Sequence, residues 1–231
     1  LSNKEQFQIN YTLDPDMQTF VRDYFEMYEP DFGSLVLMNA ETGEVLVNYS
    51  YQNPNVAPIE GVSNLALEPI VPAASIFKIV TAAASLDLGK ISANSLLPIN
   101  GSHHTLYKKN VFSNQVNRWT QFITLRQAFA RSVNSAFAKI GLQTMKPENL
   151  QEYAAKFGFN RTIESDVEKL LSESTVNIAL DDPWRLAAVS SGFDHDSRMS
   201  ALHGALLASV AVNNGLLLKP RFIHSVTNAE G

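Results

Sequence analysis

Pro72-Ala73-Ala74-Ser75-Ile76-Phe77-Lys78-Ile79-Val80-Thr81-Ala82-Ala83 is the stretch on which the fold turns. Pro72 stands at its start and Gly89 lies just beyond its end. Between them Ile76, Ile79, Val80, Ala83 and Leu86 recur on one face, which predicts a helix from about Ala73 to Leu88. Residues three apart on a helix are neighbours, roughly 5–6 Å between Cβ atoms. The spacing therefore sets the Ser75 hydroxyl beside the Lys78 amine, near a helix N-terminus that favours developing negative charge. A serine is a poor nucleophile until a base takes its proton, and a lysine serves as that base only when desolvation or nearby cations lower its pKa. Ile76, Phe77, Ile79 and Val80 can supply the dry wall. The commoner reading of such a tetrapeptide is a solvent-facing lysine and a serine bonded to its own backbone. No other serine in the chain has a lysine three positions later.

A second element, Ser132-Val133-Asn134, lies between two helical patterns at 125–130 and 135–142. A hydroxyl and a carboxamide turned into one cleft can relay a proton and hold an amide. Alone the pattern is weak, because Ser92-Ala93-Asn94 repeats the spacing and a helix cap would account for Ser132.

Around these motifs, the 231 residues carry 45% apolar and 18% charged side chains, as expected of one large domain or two joined lobes. Eighteen Lys and Arg face 23 Asp and Glu, a net charge of −5, which argues against a nucleic-acid partner. The absence of cysteine excludes disulfides, thiol nucleophiles and thiolate metal sites. No stretch reads as a membrane span. The longest apolar run, 201–212, contains His203, Gly204 and Ser209 and reads as a buried helix. The first five residues lack a leader pattern, so the protein is either cytosolic or carries an anchor or leader further upstream.

Asp14-Pro15 opens a helix that Met17, Phe20, Val21, Tyr24 and Phe25 continue to about Tyr28. Runs at 34–38 and 44–49, joined through Gly43, predict a β-hairpin. Residues 50–72 read as irregular, and polar loops are expected from the end of the second helix to Thr120. Further helices are expected over 147–157 and 200–213, and a β-prone run over 216–226 is interrupted by Pro220.

Ser-x-x-Lys followed by Ser-x-Asn is the motif order of the penicillin-recognising serine acyltransferases. The resemblance extends along the chain. Tyr11-Thr12-Leu13-Asp14-Pro15-Asp16-Met17-Gln18 resembles the opening of a penicillin-binding protein transpeptidase domain. Asn39-Ala40-Glu41-Thr42-Gly43-Glu44 resembles its first hairpin. Ser135-Ala136-Phe137-Ala138, Tyr153-Ala154-Ala155-Lys156-Phe157-Gly158-Phe159 and Asn213-Asn214-Gly215 also fit. The chain is identified on these residues as a member of that family.

The resemblance implies an α/β (α+β) fold, in which a central antiparallel sheet is flanked by helices and joined to a mostly helical lobe. It places the sheet lobe at about 12–72 and 214–231 and the helical lobe at about 73–213. Carried over, Ser75 is the acylated nucleophile, Lys78 its general base, Ser132 the proton shuttle and Asn134 the holder of a substrate amide. The Ser75 N–H is one oxyanion donor. Peptidoglycan stem peptides and β-lactam antibiotics are the implied ligands, with cell-wall synthesis proteins as possible partners and neither cofactor nor metal. The implied setting is the outer face of a bacterial cytoplasmic membrane, reached through an upstream anchor.

The family's third motif, Lys-[Thr/Ser]-Gly, is missing, which suggests a domain cut short of its last strands. A Lys-x-Gly at Lys139-Ile140-Gly141 lies on the helix after the second motif, the wrong place for it. Two rivals are a serine β-lactamase or β-lactam sensor, and a non-catalytic scaffold of the same fold. Ser132-Val133-Asn134 counts against lactamases that carry Ser-x-Val there. The segment Ser191-Gly192-Phe193-Asp194-His195-Asp196 replaces a Gly-Gln-Gly-type turn, and His195 and Asp196 are read as loop residues. His103-His104 reads as a solvated pair, and core packing is expected for Trp119 and Trp184.

Overall fold

Asp14 caps the first helix by accepting from the Asp16 and Met17 amides at 3.0 and 2.9 Å, and Pro15 supplies the preset first turn. This computed structural model describes residues 6–113, 115–168 and 170–228. The N-terminal residues 1–5, in which no leader pattern was read, lie outside them.

In chain order the elements are β1 (Phe7–Tyr11), α1 (Pro15–Tyr28), β2 (Phe32–Met38), β3 (Val45–Gln52) and β4 (Val71–Pro72). A 3-10 turn, Ala74–Phe77, runs directly into α2 (Lys78–Asp87). Then follow β5 (Leu96–Ile99), α3 (Lys108–Phe112), β6 (Gln121–Thr124), α4 (Leu125–Ala130), α5 (Asn134–Thr144) and α6 (Pro147–Lys156). The remainder is α7 (Pro183–Ser191), β7 (Arg198–Met199), α8 (Ala201–Val210) and β8 (Ile223–Asn228). The fold is α+β, as the sequence led us to expect. The contacts divide it into two units, one of Leu1–Ile70, Thr162–Glu173 and Met199–Gly231, the other of Val71–Arg161 and Ser174–Arg198.

In the first unit β2 and β3 form the expected hairpin, with Leu35 opposite Tyr49. β1 pairs antiparallel with β8, Ile9 opposite Val226. Among the described residues β2 and β3 pair only with each other, apart from a bridge between Glu44 and Arg221. Phe25 of α1 stacks on Tyr49 and Tyr51, each ring centre 5.7 Å away. Gly33 leaves room for that stack, since a Cβ there would lie 2.1 Å from the Phe25 ring. Val45, Leu67, Leu202 and Phe222 form the core of this unit, and α8 packs on β2. Pro220 falls before β8, so only the later part of the β-prone 216–226 run becomes strand.

The second unit is built around α5, whose residues 134–141 are all buried. α7 packs closely along it, because Gly141 offers no side chain; a Cβ there would meet Ser190 Oγ at 2.0 Å. Thr81 Oγ1 donates to Ser190 O at 2.9 Å and ties α2 to α7. Lys139, buried to 2% exposure, donates to Pro98 O at 3.1 Å and ties α5 to β5. The Lys-x-Gly at 139–141 is therefore a packing feature of α5. β5 and β6 pair antiparallel, Leu97 opposite Ile123. Each large apolar side chain sealed in this unit contributes roughly 1.5–3 kcal/mol.

Trp119 corrects the expectation of core packing. It is 71% exposed, carried on a turn in which its backbone N–H donates to Asn117 Oδ1 at 2.8 Å. Trp184 is partly buried against the cluster of Leu106, Val111, Ala138, Ala187 and Ala188.

Candidate active site

All four residues singled out by the sequence meet within the second unit. Ser75 lies in the 3-10 turn, where residues three apart eclipse, and Lys78 is the first residue of α2. The Lys78 amine is 2.8 Å from Ser75 Oγ and donates to Asn134 Oδ1 at 2.8 Å. The Ser132 hydroxyl donates to Ser75 Oγ at 3.0 Å. Lys78 is 2% exposed, whereas Ser75 stands open to solvent.

Burial lowers the Lys78 pKa from the ordinary 10.5 to about 8. The Phe137 ring lies 5.8 Å from Nζ, and no carboxylate hydrogen-bonds to the amine among the described residues. A neutral amine keeps an N–H for Asn134 and turns its lone pair to the Ser75 hydroxyl. That pair can deprotonate Ser75 without first breaking a salt bridge.

The backbone that presents these groups is held in uncommon conformations. Ala74, just before Ser75, has φ +46°, and Ser132 has φ +51°. Such left-handed non-glycine residues persist only where the surroundings hold them. Asn134 is held from one side of the loop before α3: its N–H donates to His103 O at 2.7 Å and its Nδ2 to His104 O at 2.9 Å. The His103-His104 pair thus serves through its carbonyls, which fixes the amide with Oδ1 towards Lys78.

Behind Ser75 runs the strap 192–197. Gly192 ends α7 at φ +65°, and a Cβ there would lie 2.0 Å from Ala74 O and 2.9 Å from the Ser75 nitrogen. Ser197 O accepts from Ala73 N at 2.9 Å. Asp194, 7% exposed, closes the strap by accepting from Ser197 N at 2.8 Å and Ser197 Oγ at 2.6 Å. Arg185 lies 3.5 Å from Asp194 and donates to Asp196 at 2.8 Å. Asp194 was not singled out from the sequence. The signal available was an Asp with Ser three residues on, the spacing of a local side-chain-to-amide turn. His195 is an exposed loop residue, and Asp196 is exposed but paired with Arg185.

Among the described residues no three His, Asp or Glu side chains gather as a metal site requires. No helix among them is long and apolar enough to cross a membrane.

Residues 33–230 match the model of the penicillin binding protein transpeptidase domain. The chain belongs to the penicillin-binding protein transpeptidase family. A curated relative in this family, the peptidoglycan D,D-transpeptidase PbpA of Mycobacterium tuberculosis, is 26% identical over 245 residues, 94% of this chain and 48% of that protein. Penicillin-binding protein PbpB of Mycolicibacterium smegmatis is 26% identical over 240 residues, covering 96% and 35%. The chain spans about half the length of the curated PbpA relatives it matches, or less for PbpB. Among solved penicillin-binding proteins, the ceftriaxone acyl-enzyme complex of protein A from M. tuberculosis superposes with a TM-score of 0.75 at 25% identity. The match covers 99% of this chain and 56% of that one. The D,D-transpeptidase domain from Eggerthella lenta shares the fold, with a TM-score of 0.77 at 24% identity, over 97% and 59% of the two chains.

Proposed function

We propose that this chain is a D,D-transpeptidase in which Ser75 is acylated by D-Ala-D-Ala stem peptides of peptidoglycan and trapped by β-lactams. One observation carries the proposal: a buried amine with its pKa lowered to about 8 lies 2.8 Å from an exposed serine hydroxyl.

Lys78 takes the Ser75 proton as Oγ bonds to the carbonyl carbon of the penultimate D-Ala. The developing oxyanion is met by the Ser75 N–H. The C–N bond breaks, the proton travels through Ser132 to the departing amine, and D-Ala leaves an acyl-serine. An amine of a neighbouring strand then attacks the ester, its proton returns to Ser75, and a cross-link forms; water attacking instead would give a carboxypeptidase. Asn134 holds the donor amide while its Oδ1 also orients Lys78. A β-lactam ring amide meets the same serine. Anchoring upstream and action at the outer face of the cytoplasmic membrane, alongside other cell-wall synthesis proteins, complete the proposal.

A β-lactamase is the weaker reading, because among the described residues no carboxylate hydrogen-bonds to Ser75, Lys78, Ser132 or Asn134 to activate a deacylating water. The test is fluorescent penicillin labelling. Stable label on the wild type, absent from Ser75→Ala, is expected. No label on the wild type would favour a non-catalytic scaffold, and fast steady-state hydrolysis of a chromogenic cephalosporin would favour the lactamase.

A further inference from the structure

Charge in this acidic protein is sharply segregated. Residues 88–147 hold eight Lys and Arg and no Asp or Glu, so all 23 carboxylates and the other 10 cations lie elsewhere. Within this stretch the 100–120 segment joins β5 to β6 and carries Lys108, Lys109 and Arg118 as its charged residues besides His103 and His104. None of the three cations enters an ion pair among the described residues.

The segment is built to hold its tip. Thr120 Oγ1 donates to Asn100 Oδ1 at 2.8 Å and accepts from Asn117 N at 2.9 Å. The Trp119 backbone N–H donates to Asn117 Oδ1, and the Arg118 guanidinium lies 4.7 Å over the Trp119 ring. Trp119 is 71% exposed, Tyr107 60% and Phe122 of the adjoining β6 53%. Lys108 Nζ lies 5.4 Å over the Trp184 ring, yet no carboxylate neutralises any of the three cations among the described residues. Aromatic faces left in water, on a segment whose cations carry no ion pair, mark an interaction surface.

We propose that this surface docks the glycan strand of an anionic, peptide-bearing polysaccharide, the polymer whose stem peptide Ser75 would attack. Flat indole and phenol faces cover the apolar C–H faces of sugar rings, and Lys108, Lys109 and Arg118 meet the free carboxylates between them. The inference rests on the function proposed above for its link to catalysis. The same segment supplies the His103 and His104 carbonyls that hold Asn134, so a docked strand keeps its peptides at high effective concentration beside the site. A lipid surface fits less well. Three cations, two of them adjacent, fall short of a polybasic cluster, and α3, at five residues, is too short for an amphipathic anchor.

The test is co-sedimentation with purified peptidoglycan sacculi, carried out in a Ser75→Ala background so that covalent capture contributes nothing. Retention that weakens with salt is expected. It should fall roughly tenfold in Arg118→Ala/Trp119→Ala, the loss of an aromatic–arginine hot spot, and again in Lys108→Glu/Lys109→Glu. With Ser75 restored, both variants should take fluorescent penicillin at the wild-type rate, which shows them folded. Retention unchanged in both variants would overturn the proposal. Equal, salt-insensitive retention on uncharged chitin would do the same, and so would capture by phosphatidylglycerol vesicles that depends on these four residues. Absence of penicillin label on the wild type would sink the proposed function while leaving sacculus retention readable.

Discussion

At the scale of single residues, the chemistry depends on how dry one amine is. Lys78 has lost its water without gaining a carboxylate, so its neutral form is favoured by burial alone. The acylation rate by penicillin should therefore rise with pH and level off above about 8, falling about tenfold per unit below it. Lys78→Arg keeps a cation that never releases its proton, and should slow acylation by roughly 10²–10⁴-fold at every pH. Stopped-flow labelling across pH 6–9 checks both, and a flat profile in the wild type would remove Lys78 as the base. Ser75, Lys78, Ser132 and Asn134, which meet in the structure, were picked out by the order of two short motifs and the family resemblance around them, each motif being weak by its spacing alone. The carbonyls of His103 and His104 on Asn134 were not, since nothing in a loop sequence announces which side chain its backbone will meet. Trp119 was misjudged for a related reason: an indole is usually sealed in a core, and only tertiary placement reveals one held outside by its own turn.

At the scale of elements, caps and stripes decided what could be read. α1 was legible from Asp14-Pro15 and its apolar spacing, and α6 from Pro147 and Gly158. α7 opens on Asp182-Pro183 in the same manner, with Asp182 accepting from the Trp184 and Arg185 amides at 2.9 and 3.0 Å. It escaped notice because small residues, Ala187, Ala188, Ser190 and Ser191, gave it little hydrophobic contrast. β5 and β6 are four residues each, too short for a periodic signal, and β5 holds Pro98, which lacks a ladder donor. The missed elements carry weight in the site. Gly192, at the end of α7, lies against the backbone of Ala74 and Ser75, so Gly192→Ala must push that backbone aside while adopting a positive φ. It should cut penicillin acylation by about tenfold or more. Asp194→Ala leaves the buried Ser197 amide and hydroxyl without their acceptor, and should cost about 1–3 kcal/mol in urea unfolding. Asp194→Asn, which keeps an acceptor, should restore most of the acylation rate; no rate difference between the Ala and Asn variants would detach the strap from catalysis. One turn along α5, Gly141→Ala would drive a methyl into Ser190 and should destabilise by about 1–3 kcal/mol while leaving the labelled serine unchanged.

At the scale of the whole molecule, burying uncompensated amines has a consequence for stability against pH. Lys78 and Lys139 are each 2% exposed, and burial lowers the pKa of both. Between the lowered pKa in the folded chain and the ordinary 10.5 of the unfolded one, the unfolded state holds protons that the native state has given up. Stability therefore rises with pH across that window, by at most about 1.4 kcal/mol per pH unit for each amine. Below about 8 the Lys78 contribution is at its least favourable and stays flat. Two tyrosines limit the gain from above. Burial raises the Tyr49 pKa, and the hydrogen bond to Asp87 raises that of Tyr153, so the folded chain resists their ionisation and loses stability once pH passes the ordinary 10.0. The clean interval is pH 8 to 10, where urea midpoints of the wild type should climb. Lys78→Met, which removes a buried charge of similar volume, should be more stable at pH 7 and climb less steeply through the interval, while taking no penicillin label. Wild-type midpoints that stay level from pH 8 to 10 would mean that Lys78 keeps its proton in the folded chain, and with it that Ser75 has no base.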